Sequence, residues 1–88
     1  MTKIELVLNN SAGLHARPAA QFIQKASGFA STVTIQAGEK AADAKSILAV
    51  MGLGLRQGAK FTLLADGPDE VECVTALQAL VENNFGEG

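Results

Sequence analysis

The chain has 88 residues, room for one domain spanning 1–88, and 48% of them are hydrophobic, which excludes a disordered tail. With a formal net charge of −2, no Trp, no Tyr and no dense run of Lys and Arg, it lacks the cationic, base-stacking surface that nucleic acid requires. The lone Cys73 cannot form an internal disulfide, and no run reaches the roughly 20 apolar residues that span a bilayer. The opening Met1-Thr2-Lys3-Ile4-Glu5 puts an acid inside the only early apolar stretch, unlike a signal peptide. A cytoplasmic monomer without membrane insertion is therefore expected.

In chain order, residues 3–8 alternate, with Ile4, Leu6 and Leu8 on one face, and predict a half-buried strand. Residues 9–13 (NNSAG) break it as a loop. Residues 16–27 predict a helix whose apolar stripe is Ala19, Phe22, Ile23 and Ala26. Pro18 fits only near its start, so the helix begins beside His15. Thr32 to Ala37 alternate again, Gly38-Glu39 is a turn, and Lys40 to Ala42 make a short return strand. Ser46 caps a short helix ending at Gly52, and Lys60 to Ala65 form a strand with Phe61, Leu63 and Ala65 inward. Gly67-Pro68-Asp69-Glu70 opens a last helix with a buried stripe of Cys73, Val74, Leu77, Leu80 and Val81. Residues 83–88 are expected to be a loose tail. The order βαββαβα predicts an α+β open-faced β-sandwich: a four-stranded, mostly antiparallel sheet covered on one face by three helices.

Any chemistry centres on His15, the only histidine. An imidazole nitrogen is nucleophilic near neutral pH. A helix N-terminus offers free N–H groups and partial positive charge, which suit an anion. Arg17 adds a cation with donors shaped for phosphate oxygens, and Gly13 lets the backbone turn tightly beside the ring. A histidine at a helix start is also, in many proteins, only a surface or capping residue. One His and one Cys make no metal site, and the glycines at 52, 54 and 58 form no nucleotide-binding motif. No cofactor is expected.

The stretch Gly13-Leu14-His15-Ala16-Arg17-Pro18-Ala19 resembles the signature of HPr, the phosphocarrier family of the bacterial phosphoenolpyruvate-dependent sugar phosphotransferase system. Ala44-Lys45-Ser46-Ile47-Leu48 and Met51-Gly52-Leu53-Gly54 resemble the family's second signature at the right spacing. The resemblance implies a stoichiometric carrier, not an independent enzyme. Enzyme I would phosphorylate His15 on Nδ1, and the carrier would pass the group to an Enzyme IIA for sugar uptake. Arg17 would stabilise the phosphate and Pro18 would fix the helix start. Ala12 departs from the family, several of whose members carry a polar side chain there, so backbone N–H groups and Arg17 must do more.

Ser46 has two readings. As an N-cap its oxygen accepts a helix N–H, contributing about 1 kcal/mol. By resemblance it is also the target of HPr kinase/phosphorylase, in a form that a transcriptional regulator reads. Leu14, Ala16, Ala20, Gln24, Ile47, Leu48 and Met51 are the expected docking residues. The alternative to carriage is a regulatory binding module read through Ser46. Another is an HPr-like module of a fused or nitrogen-related phosphotransferase, since residues 84–88 (NFGEG) resemble the ends of such modules.

Overall fold

The computed structural model describes residues 1–86. The strands are β1 (Thr2–Val7), β2 (Thr32–Ala37), β3 (Lys40–Asp43) and β4 (Lys60–Asp66). The helices are α1 (Ala16–Ser27), α2 (Ile47–Gly52) and α3 (Glu70–Glu82). The sheet runs β1-β4-β2-β3, and every pairing is antiparallel. β4, the last strand in sequence, lies between β1 and β2. Its alternation buries Phe61, Leu63 and Ala65 and leaves Thr62 and Leu64 partly open.

The register aligns one apolar row across the sheet, with Ile4 opposite Leu63, Leu63 opposite Ile35, and Ile35 opposite Ala42. Leu6 opposite Phe61 forms the next row. On the other face Thr62 stands between Glu5 and Gln36. One face is thus greasy and the other polar, so the three helices collect on one side. The core between the layers contains Leu8, Leu14, Phe22, Ile35, Leu63 and Leu77, each at most 1% exposed. Burying a side chain of this kind contributes about 1.5–3 kcal/mol.

The strand ends fall within one residue of expectation, and two other features differ more. α3 starts at Glu70, so Pro68 lies in the preceding turn rather than in the first helical turn. The Asp69 carboxylate makes no capping bond to α3. It accepts hydrogen bonds instead from the N–H groups of Ala30 (2.8 Å) and Ser31 (3.0 Å) and from the Ser31 hydroxyl (2.5 Å), tying the β2 entrance to α3. The expected loose tail is also not loose over its described part. Asn84–Gly86 form a 3-10 turn, and Phe85 is only 3% exposed, because its ring completes the apolar core. Residues 87 and 88 of that tail lie outside the described residues.

Candidate functional site

His15 stands where the loop after β1 becomes α1. Its backbone is extended (φ −123°, ψ 158°), while its carbonyl already accepts the Ala19 N–H at 3.3 Å. That is the geometry of an N-cap residue. Its imidazole, however, makes no capping bond, and the residue is exposed. The next residue, Ala16, has φ 33°. This left-handed backbone costs an L-residue about 1–2 kcal/mol.

The loop is held from two sides. The buried Asn10 donates from Nδ2 to the Gly13 carbonyl at 2.8 Å, and the Gly13 N–H returns to the Asn10 carbonyl at 3.1 Å. The Leu14 N–H donates to the Leu55 carbonyl at 2.9 Å, which joins this loop to the one after α2. Gly13 has φ +63°, and a Cβ there would lie 2.6 Å from the Leu55 oxygen and 2.7 Å from the Arg56 Cα. Only glycine permits the two backbones to meet so closely.

An open cleft of about 410 Å³ lies beside the imidazole. It is lined by His15, Ser11, Ala12 and Leu14 from the loop before α1, and by Met51, Gly54, Leu55, Arg56 and Gln57 from α2 and the loop after it. Ala12 offers it no polar side chain. Arg17 is exposed on the first turn of α1 but lines a different hollow, of about 390 Å³, with Gln21, Phe85 and Gly86. The fold therefore does not bring Arg17 into the cleft with His15. It brings Arg56, which sequence reasoning missed. The only available signal was that Arg56 lies in a stretch free of acids, and nothing local says that this loop meets residues 8–14.

Pro18 is buried in the first turn of α1. Ser46 caps α2, its Oγ accepting the Ala49 N–H at 3.4 Å, and is half-buried. Beside it Ile47 is 39% and Leu48 83% exposed, large apolar surface for so short a helix. Met51 reaches the His15 cleft, and Ala16 and Ala20 are exposed on α1. Two expected docking residues are placed differently from the rest. Leu14 is 1% exposed, because the turn that exposes His15 drives its neighbour into the core. Gln24 is exposed but lines a separate hollow with Phe29 and Leu80. Cys73 is a core thiol whose pKa is raised, mainly by burial and then by the charge of Asp69.

The fold and this site define a small phosphoryl-carrier class, and comparison with known proteins agrees. A family model described as "PTS HPr component phosphorylation site" matches residues 2–83. The phosphocarrier protein HPr of Cupriavidus necator is 44% identical over 88 residues, covering 100% of this chain and 99% of that one. HPr of Lysinibacillus sphaericus is 52% identical over 69 residues, 78% of each chain. The crystal structure of HPr-C-His from Thermoanaerobacter tengcongensis superposes with a TM-score of 0.98 at 44% identity, over 100% of this chain and 99% of that one. The chain belongs to the HPr family. Its function is phosphoryl carriage in a phosphoenolpyruvate-dependent phosphotransferase system, among partners of that kind.

Proposed function

We propose that His15 is the phosphoryl acceptor and that the chain works as a stoichiometric carrier in the cytoplasm, between Enzyme I and an Enzyme IIA. The observation that supports this best is the placement of the only imidazole. It is exposed, takes no part in capping, and sits at the N-terminus of α1 over an open cleft. The unprotonated Nδ1 supplies its lone pair to phosphorus, and the N–P bond forms as the bond to the donor's leaving group breaks. The electron pair leaves with the donor, and the ring proton stays on the other nitrogen. The free N–H groups at the start of α1 favour the anion that results. Arg17, in the first turn, is the cation that approaches the phosphoryl group once it is in place, and Pro18 fixes that turn.

Partner surface is supplied by exposed Ala16, Ala20, Ile47 and Leu48 together with Met51, a side chain that adapts to more than one partner. Ser46, next to Ile47, is the regulatory position, open to HPr kinase/phosphorylase and read by a transcriptional regulator. A phosphate there adds about −1.5 to −2 charge at a helix start, which the helix tolerates and a docking partner does not.

The test is incubation with phosphoenolpyruvate and Enzyme I, then with Enzyme IIA. Intact mass should show one phosphoryl group per chain, lost in acid and transferred to Enzyme IIA without turnover by the carrier alone. An acid-stable product, or more than one group per chain, contradicts this reading.

A further inference from the structure

We propose that Arg56 is a positioning residue for the phosphoryl group on His15, supplying the cation of the cleft itself. The proposal rests on His15 being the acceptor. Arg56 lines the same cleft as His15, whereas Arg17 lines the neighbouring hollow. Its backbone is not free to drift. The Arg56 Cα lies against Gly13 so closely that no Cβ fits between them. Around it, hydrogen bonds tie the Arg56 loop to the His15 loop. The Leu14 N–H donates to Leu55 O (2.9 Å), the Gly58 N–H to Leu8 O (2.7 Å), the Leu8 N–H to Ala59 O (2.9 Å), and the Gln57 side chain to Asn9 O (3.0 Å). A long guanidinium side chain thus springs from a fixed point two residues from His15 across the Gly13 contact.

The electrostatics agree. No acid lines the cleft, and the sequence carries none between Glu5 and Glu39 or between Asp43 and Asp66. Among the described residues no carboxylate pairs with Arg56. Ala12 itself adds no side-chain donor, so the polar side chains of the cleft besides His15 and Arg56 are those of Ser11 and Gln57. A phosphoryl group on the ring would therefore share its cleft with a guanidinium whose donors match its oxygens.

Arg56→Gln and Arg56→Lys test this through an equilibrium rather than a rate. With limiting phosphoenolpyruvate, the phosphorylated fractions of Enzyme I and carrier give the exchange constant. That constant compares the free and phosphorylated carrier and does not depend on how the two proteins dock. Arg56→Gln should shift it about threefold to tenfold toward Enzyme I, the range for a partly exposed charged hydrogen bond. Arg56→Lys should recover part of the loss by restoring charge without the fork. The shift should shrink at about 0.5 M salt. A constant within about 1.5-fold of wild type, with wild type labelled at His15, overturns the role of Arg56 alone. So does a loss equal in both variants and insensitive to salt, which marks a structural role. A wild-type chain unlabelled at His15 overturns the acceptor assignment, and this proposal with it.

Discussion

At Gly13 the chain turns through φ +63° with the Leu55 carbonyl pressed against its Cα, where a methyl group would sit 2.6 Å from that oxygen. Two costs therefore attach to Gly13→Ala: a left-handed backbone for an L-residue, and a clash with backbone that no rotamer change relieves. The first alone is about 1–2 kcal/mol, and the second forces the Leu55–Arg56 segment away from the His15 loop. The variant should melt about 10 °C or more below wild type, and should also lose affinity for phosphoryl because the cleft opens. A melting curve within about 2 °C of wild type would mean that the two loops are not in contact. His15 itself was legible from sequence, being the sole imidazole beside Arg17 and Pro18. The place of Arg56 beside it was not, because that comes from a loop-to-loop approach across more than forty positions, which carries no periodicity. The strain at Ala16 was equally invisible, since alanine is an ordinary helix former and nothing local demands φ 33°.

At the scale of elements, α2 joins a structural cap and the proposed regulatory position at one residue, Ser46. Its helix is short, and a long bond (3.4 Å) from the Ala49 N–H to Ser46 Oγ caps its start. Ser46→Asp keeps an acceptor at the cap and adds a favourable charge–dipole interaction, so circular dichroism and melting should match wild type. Phosphorylation by Enzyme I should nonetheless weaken. A partner burying Ile47 and Leu48 must also bury the new charge, at a cost of several kcal/mol unless a cation meets it. The defect should appear as a higher Enzyme I concentration for half-maximal rate, and part of it should vanish in high salt. A folded variant indistinguishable from wild type at both salt levels would reduce Ser46 to a cap. The strands and helices were legible because their apolar residues repeat every two or every three to four positions. The last turn is not legible because Asn83-Asn84-Phe85-Gly86 has no such repeat, and the tertiary fit of the Phe85 ring orders it. Pro68 misled for a similar reason. A proline two residues before a helix and one inside its first turn look the same in sequence.

Across the whole molecule, Asp69 links the entrance of β2 to the start of α3. The Ser31 hydroxyl first, and then the Ala30 and Ser31 N–H groups, hold its carboxyl below the usual carboxylate range. A lowered folded-state value means that the unfolded chain binds the proton more tightly. The stabilisation is thus complete above the unfolded value of ~3.9 and is lost as pH falls through the folded value. Asp69→Asn should melt below wild type near neutrality, and the gap should close as pH drops below about 4. A gap that stays constant down to pH ~2 would show that the carboxylate charge contributes nothing.

The central claim is that one exposed imidazole, placed at a helix start by loops packed through Gly13, carries the phosphoryl group. His15→Ala removes only that ring, which takes no part in capping, so the variant should fold and melt like wild type. Both proteins are incubated with phosphoenolpyruvate and a catalytic amount of Enzyme I, and intact mass is followed with time. Wild type should gain one acid-labile phosphoryl group, and folded His15→Ala should gain none. A folded His15→Ala chain labelled at the wild-type rate would contradict the account.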